Sequence, residues 1–494
     1  MILIVVSILL ALMSLAAIGS VALMQAEYQA ARMRGDELIL ENAADSGVEW
    51  LAALARESRQ NRVAAMPPGS ADAAFRDRSL SAGNLGDDFA RYALLLPYAS
   101  TASTDELAFG FANESAKLNL RSLLEWDRRW PGSAERALMQ LPGMTPGVAD
   151  KILDWIDADS QPRPQGGERD RYAADRLPYG PPNAVPETLD ELLLVPGVRR
   201  ADLFGEVPDS GARRQESDGP FGASRAGREN RIPWARFLTV ISAERNESFE
   251  GRPRVFLNSP DLADLHQQLS ERLGVEWANF VIALRQFGIS RSSRGMAATS
   301  LEPNFAIPPK YALASELDLV GTRVPIAKSG RTAVLLSSPL AANRAGWAGE
   351  LGRVMDQVTL SDQPTLPGRI NIDAAPREVL MAIPQMDLTT VDRILATRML
   401  VPLGQSDHVH ASWLLEQGIV DAKRLGDLLP YLSTGGDVFQ ADVVAYFTDR
   451  PQRVRQLVAV DGTNRRRSQL YCKDLRDRAT ELPPVVFRSR PAVD

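Results

Sequence analysis

One cysteine, Cys472, and three histidines, His266, His408 and His410, are all that 494 residues hold of the side chains most used for zinc binding or acyl transfer. A lone thiol excludes an internal disulfide and any cysteine-based zinc cluster. A Ser–His or Cys–His nucleophile system would have to form around those three histidines, and none lies in a motif for one. A positive surplus is lacking too. The net charge is −6 and the pI about 5.5, which argues against a chain that coats nucleic acid, although a local basic patch would be compatible with it. There is no charge at all from Met1 to Gln25, and no proline from Glu27 to Arg59.

These last two absences define the N-terminus. MILIVVSILLALMSLAAIGSVALMQ is long enough to cross a bilayer as a helix, for which about 20 residues suffice. A cleaved signal peptide is the rival reading, but it would open with a basic stretch and carry a shorter apolar run. The first charges, Glu27, Arg32, Arg34, Asp36 and Glu37, are of mixed sign, so the positive-inside rule assigns no orientation. Farther on, Ala30, Leu38, Leu40, Ala44, Val48, Leu51 and Ala55 recur at helical spacing. The pattern predicts one helix to about residue 59, a transmembrane part over 1–24 and an amphipathic part over 25–59. It would serve as a single-pass anchor with a stalk or as the spine of a pilin-like subunit.

The body reads as α+β. Prolines and glycines make 60–90 loop-like, and Tyr92–Tyr98 and Leu107–Phe111 are short strand candidates, so 60–116 opens an α+β domain. The stretch 117–204 is predicted to be helical, a large inserted all-α domain. Asp209 to Asn230 is polar and rich in Gly, Ser and Arg, which makes 205–235 a flexible linker. Within 236–365, Phe237–Ser242 reads as a strand and Leu262–Phe287 as a helix, followed by mixed signals. A second helical hairpin region, from about Pro376 to Tyr431, occupies 366–435. In 436–494, ADVVAYF, RVRQLVAV and RSQLYCKDL alternate in polarity and are joined by TDRPQ and DGTN, an antiparallel meander. The order predicts an antiparallel α+β domain interrupted by a helical one.

Two segments repeat. KLNL at 117–120 is followed by LPGMTPGVADKIL from Leu141, and RINI at 369–372 by IPQMDLTTVDRIL from Ile383. Weaker echoes are VFLN at 255–258 and VPGV at 195–198. In the first hairpin Pro142 and Gly143 make the turn, Thr145 is the expected N-cap, and Pro146 suits the first helical position. Val148, Ile152 and Ile156 would line the inward face. A DNA-binding helix-hairpin-helix needs a loop that lets phosphate approach, usually through two glycines, with basic residues nearby. Thr145 stands where the second glycine would be, and Gln385 and Asp387 replace both in the second unit. Lys and Arg number four against six Asp and Glu over 141–171, and four against four over 369–400. The hairpins are therefore expected to pack and to touch no nucleic acid.

The first hairpin runs into DWIDADSQPRPQGGE. With Asp157 as the first position of a calcium loop, Asp159 is third, Gln161 fifth and Glu168 twelfth, which are oxygen ligands suited to a hard cation. Pro162 stands at the sixth position, where an EF-hand needs glycine, so the loop must differ from an EF-hand. Asp157, Asp159 and Glu168 are the candidate calcium ligands, with Asp154 and Asp170 near them. The competing reading is a salt network with Arg163, Arg169 and Arg171.

The uncharged N-terminal helix, KLNL, LPGMTPGVADKILDWIDADSQPRPQGGERDRY, LDELLLVPGV and RINIDAAPREVLMAIPQM together resemble general secretion pathway protein K, the minor pseudopilin of type II secretion. DWIDAD followed by PRP and GGE is the most specific part. The resemblance covers the N-terminal helix and most of 114–204 and 369–400. It implies a pilin-like α+β fold with a large helical insert and a non-enzymatic role at the tip of the periplasmic pseudopilus. It also implies partners among the I and J minor pseudopilins and the major pseudopilin, and a single-pass inner-membrane anchor with a periplasmic body. Two features depart from pseudopilins at large. The sequence begins directly at the apolar run, without a basic leader ending in glycine. Val5 stands where most carry a glutamate, which K-type subunits lack. The alternative is a membrane-anchored helix-hairpin-helix protein of a DNA-uptake apparatus; a membrane-tethered enzyme is a third reading, for which no substrate class emerges.

Overall fold

The computed structural model describes residues 2–65, 74–79, 90–98, 108–205, 232–290, 295–298, 302–329, 332–340, 347, 349–400, 408–464 and 469–475. Most of the expected linker, 206–231, lies outside the described residues. The chain is α+β. Its N-terminal helix, Ile2–Arg56, is continuous, and its burial changes abruptly along its length. The apolar first part is exposed, whereas Leu40, Ala43, Ala44, Val48, Leu51, Ala52 and Ala55 are buried. Their three- and four-residue spacing puts them on one stripe, which packs on a sheet.

That sheet has six described strands. Arg78–Ser79, Arg91–Leu95, Val438–Tyr446, Arg453–Asp461 and Gln469–Asp474 follow one another in space, and Ala112–Asn113 also pairs with Val438–Tyr446. All pairings are antiparallel. Val438–Tyr446 is buried at all nine positions because it has neighbours on both edges and the helix against one face. Gly47 sets the helix–sheet distance: a Cβ there would come within 2.8 Å of Val443 and 2.9 Å of Tyr92. The DGTN turn needs its glycine for the same reason, since a Cβ at Gly462 would stand 2.1 Å from the Ala55 carbonyl. Asp36 fastens the start of the packed stripe through Arg450 at 2.8 Å. At the other end Arg62 bonds Asp437 at 2.7 Å, and Asp437 also accepts the Arg245 backbone N–H at 2.6 Å. Burial alone would raise the Asp437 pKa, but Arg62 and Arg245 outweigh it and hold the carboxyl below its ordinary value. The first sheet strands precede residue 114 and the last follow residue 433, so everything between is carried on the sheet as an insert.

The insert has its own hydrophobic cluster, running from Leu118 to Leu432 and separate from the one between helix and sheet. Three two-residue parallel strand pairs recur in it. Leu118–Asn119 pairs with Leu238–Thr239, Val255–Phe256 with Val358–Thr359, and Ile370–Asn371 with Leu432–Ser433. Each returning strand ends alike: Thr239, Thr359 and Ser433 accept, through the side-chain oxygen, the backbone N–H two residues on. Parallel neighbours require a crossover; the described crossover residues are helical for the first and third pairs, whereas the second pair encloses helices together with a three-stranded sheet. KLNL, VFLN and RINI thus each open a strand-bounded unit, the weak echo at 255–258 included.

Several local expectations need correction. The helix stops at Arg56, because Ser58 caps a second helix, Arg59–Ala65, by accepting the Asn61 N–H at 3.1 Å. The loop-like 60–90 therefore begins with a helix and also contains the short strand Arg78–Ser79. The strand expected over Tyr92–Tyr98 is Arg91–Leu95, and Phe109 makes only an isolated bridge to Leu95. Phe237–Ser242 is reduced to Leu238–Thr239, because the chain turns at once. Leu262–Phe287 is two helices, Leu262–Arg272 and Val275–Phe287, divided at Gly274 with φ +98°. The mixed region 288–345 holds a three-stranded sheet of Met296–Ala298, Arg323–Ser329 and Thr332–Ser337.

Candidate functional site

LPGM, VPGV and IPQM fold into the same turn. In each, the fourth residue donates its N–H to the carbonyl of the first, at 3.1 Å in all three. Proline supplies the second position, and the third adopts the left-handed backbone a type II turn requires. Gly143 has φ +70°, Gly197 +101° and Gln385 +63°. The Pro142 carbonyl accepts the Trp234 indole N–H at 2.9 Å, which ties the first turn to the insert core. Thr145 takes the N-cap position but makes no side-chain cap bond, and Pro146 starts the helix Pro146–Ile156. Ile152 and Ile156 are buried as expected, and Val148 is half-buried.

The helix buries a second, acidic stripe as well. Asp150 and Asp154 are one turn apart and so share a face, and the segment after the helix wraps over them. Asp150 accepts the Gln165 N–H at 2.9 Å. Asp154, with no solvent exposure, accepts the backbone N–H groups of Arg163 at 3.2 Å and Gly167 at 2.8 Å, and Arg163 Nη1 at 2.9 Å. Gly166 makes the wrap close: a Cβ there would lie 1.9 Å from Asp154 Oδ2. The Arg163 guanidinium also bonds Asp157 Oδ2, and its Nη2 stands 3.7 Å from Asp127.

The three candidate ligands fare differently. Asp157 and Glu168 are each 8% exposed. One oxygen of each, Asp157 Oδ1 and Glu168 Oε1, is buried without a hydrogen-bond partner. Asp159 is exposed and accepts the Gln161 N–H at 2.8 Å. Burial raises the Asp157 pKa, with Asp159 and Asp154 adding to it and Arg163 opposing. Burial also raises that of Glu168, and Asp154, Asp157 and Asp159 push it the same way. Asp154 and Asp159 act on both groups in the same direction as burial, and Arg163 opposes. Beside it Tyr172 packs on Trp155 and Tyr179, with ring centroids 6.0 and 5.9 Å away, and its hydroxyl is buried without a partner. Among the described residues no group of three or more His, Cys, Asp or Glu side chains is arranged to hold a metal ion. At this loop Arg163 Nη1 bonds both Asp154 and Asp157, and Asp159 is turned outward. The orphaned, buried oxygens fit a hard cation; the position of the guanidinium opposes one.

The salt-network reading is correct for Arg163 but not for Arg169 and Arg171. Both are exposed, and Arg171 pairs with Asp175 at 3.4 Å. The sequence reading missed Asp127 and Asp150. The four-residue spacing of Asp150 and Asp154, opposite the Ile152 face, was the signal available for the second.

The histidines fill structural positions. His266 bonds Asn279 at 2.8 Å, and His408 bonds Asp373 at 3.1 Å while stacking on Trp413. His410 is half-buried, and desolvation together with Arg254, Arg369 and Arg59 pushes its pKa well down. The N-terminal helix is long and apolar enough to cross a membrane, and none of its apolar window is buried against the body.

The chain was compared with known proteins. No curated protein matches it. Among solved structures, the GspK–GspI–GspJ complex from the type 2 secretion system of enterotoxigenic Escherichia coli contains a chain that aligns at 11% identity and a TM-score of 0.38, covering 90% of this chain and 99% of that one. Residues 116–203, which contain the first hairpin, the acidic loop and VPGV, match the family model of type II secretion system (T2SS), protein K, and the resemblance read from that stretch is borne out there.

Proposed function

We propose that this chain is a structural, non-enzymatic minor pseudopilin of the protein K type. On this reading it sits at the tip of the periplasmic pseudopilus, with the I and J minor pseudopilins and the major pseudopilin as partners. Residues 1–24 anchor it in the inner membrane before assembly, with the body in the periplasm. The observation that carries the reading is the family match over 116–203, the segment with the most specific motif. The N-terminal helix supports it. One half is apolar and bare, and the other is clamped to an antiparallel sheet by a small-residue contact at Gly47. This is the division of labour expected of a helix that leaves the bilayer to join a filament. The insert at 117–204, with 236–365 and 366–435 beside it, would be the part that distinguishes this subunit from a minimal pilin-like one.

The test is co-purification. The body from about residue 25, co-expressed with candidate I and J pseudopilins of the same secretion system, should elute with them as one complex. Separate elution of all three at micromolar concentration would remove the assignment. For the anchor, the full chain should resist alkaline carbonate extraction. Leu10→Arg should weaken insertion by about 2.5–3.5 kcal/mol on insertion scales.

The same proposal assigns calcium to the acidic loop, through Asp157, Asp159 and Glu168. The support is the pair of buried, unpartnered oxygens on Asp157 and Glu168. A bound ion would hold the wrap closed over Asp154 and would supply charge neutralisation, with no chemistry routed through it.

A further inference from the structure

Arg163 bonds Asp157, one of the ligands of that reading, and Asp154 beside it. We propose that Arg163 is an internal counter-ion that a divalent cation displaces. In the cation-free protein its guanidinium occupies the acidic loop; when the ion enters, the side chain leaves. The inference rests on the calcium reading and adds to it which residue sets the affinity and what moves.

Four observations carry it. First, Arg163 Nη1 lies on both Asp154 and Asp157, so the guanidinium and an ion cannot share those oxygens. Second, the guanidinium satisfies the site incompletely, because Asp157 Oδ1 and Glu168 Oε1 stay unpartnered although buried. A calcium ion takes six to eight oxygens and could engage those that the planar guanidinium leaves out. Third, the side chain has a way out. Arg163 keeps 23% exposure, whereas Asp154 has none. Fourth, the guanidinium is not the only hold on the loop. Asp154 is also held by the backbone N–H groups of Arg163 and Gly167, and Asp150 by that of Gln165. The wrap can therefore persist while the side chain swings to water.

Exchange would have a consequence outside the loop. Arg163 Nη2 is 3.7 Å from Asp127 on the neighbouring helix Leu120–Arg129. Asp127 also accepts the Ala134 N–H at 3.2 Å, which begins the next helix. The guanidinium thus ties the acidic loop to the first helices of the insert, and an entering cation would release that tie. Cation binding would tighten the loop on itself and loosen it from Asp127.

The experiment uses the full-length chain in detergent, titrated with calcium chloride by calorimetry, with thermal midpoints read with and without calcium. Four forms are compared: the parent chain, Arg163→Gln, Arg163→Lys and Arg171→Gln. Arg171 is a nearby exposed arginine paired with Asp175, so it controls for the loss of a positive charge alone. Displacement predicts that Arg163→Gln lowers the midpoint without calcium and tightens calcium binding on the order of tenfold or more, because the parent site is open only in the fraction of molecules whose arginine has left. Arg171→Gln should change affinity less than about twofold, as expected for a screened surface charge. Arg163→Lys, which keeps the charge but loses the two-sided reach, should fall between the parent and Arg163→Gln; it also serves if Arg163→Gln fails to fold. Binding by Arg163→Gln alone, with the parent chain silent, would also support displacement. Equal affinity in parent and Arg163→Gln, or equal tightening by both glutamine variants, would overturn the proposal while leaving the calcium reading standing. No binding by any form at millimolar calcium would reject the calcium reading itself, and displacement with it.

Discussion

The helix entered through LPGM and the helix entered through IPQM begin alike and end differently. Aligned residue for residue, Gly143 corresponds to Gln385, Thr145 to Asp387, Asp150 to Asp392, Lys151 to Arg393, Ile152 to Ile394 and Asp154 to Ala396. Both turns have the same hydrogen bond, and both inward isoleucines are fully buried. The second unit manages without glycine by holding Gln385 at φ +63° and bonding its carbonyl to Arg424. It also has the cap that the first lacks, since Asp387 accepts the Thr390 N–H at 2.7 Å. The polar face is where they part. Asp392 points outward to Arg377 at 2.6 Å, while Asp150 turns into the acidic loop, and Ala396 removes the hub that Asp154 provides. The comparison teaches that turn and inward face are a packing device, used more than once, and that charge chemistry is an addition to one copy.

The strongest way to break that comparison is to bury a charge in each copy. Ile152→Asp and Ile394→Asp should each cost about 4 kcal/mol or more, since an unpaired carboxylate would replace a fully buried aliphatic group. Urea unfolding of both variants checks this. A loss of less than about 1 kcal/mol in one of them would show that its hairpin is peripheral.

Calcium should then separate the copies. At about 100 times its dissociation constant it should stabilise the protein by about 2.7 kcal/mol. Hydrogen exchange should slow over 157–174 and stay unchanged over 388–398. The two copies should also answer pH with opposite sign. The pKa values of Asp157 and Glu168 are raised, by burial first, so their protonated forms favour the fold; that contribution is lost as pH rises through the raised values. Protons and calcium compete there, and calcium stabilisation should fade as pH falls into the same range. The Asp387 pKa is lowered, by its bond from the Thr390 backbone first, so its contribution is present above the ordinary carboxylate value and lost as pH falls through the lowered one. A titration of stability with and without calcium tests both signs.

Smaller effects sharpen the cap and the turn. Asp387→Ala should cost about 1 kcal/mol, whereas Thr145→Ala should cost under about 0.5, because only the aspartate makes the cap bond. Gly143→Ala should cost about 1 kcal/mol, the price of a Cβ in the left-handed region. The smallest expected effect belongs to Lys151→Ala, within about 0.5 kcal/mol. It should leave DNA retention at low salt unchanged. A salt-sensitive affinity for DNA that this substitution abolishes, with the fold intact, would turn the first hairpin into a nucleic-acid element after all.

Much of this could be read along the chain because it is local. The three C-terminal strands show as alternation between two turn signals, and the N-terminal helix as an uncharged run followed by a helical stripe. The first hairpin shows as Pro-Gly before a helical period, and the second as its repeat. What escaped depends on distance in sequence. The two-residue strands Leu118–Asn119 and Leu238–Thr239 are too short to carry a period and exist only because each finds the other across the insert. Gln385 gives no sign of its left-handed backbone, which its surroundings impose. In the acidic loop the carboxylates were legible as residue types at calcium-like spacing. Arg163 was legible as a partner, but which carboxylates it takes was not, since its guanidinium reaches both Asp154 and Asp157 only after the chain has wrapped back over Asp154.

By itself, then, the sequence determined the bare apolar half of the spine helix, its packed stripe, the meander and the hairpin turns, because periodicity, proline and glycine act within a few residues. The tertiary structure alone decided the order and register of that sheet, with Val438–Tyr446 between Arg91–Leu95 and Arg453–Asp461, and that Gly47 and Gly462 bring helix and sheet into contact. It also decided that one guanidinium is shared among Asp127, Asp154 and Asp157 while two neighbouring oxygens stay unpaired. Those outcomes turn on burial and on which charges share a low-dielectric space, and burial is a property of the packed molecule.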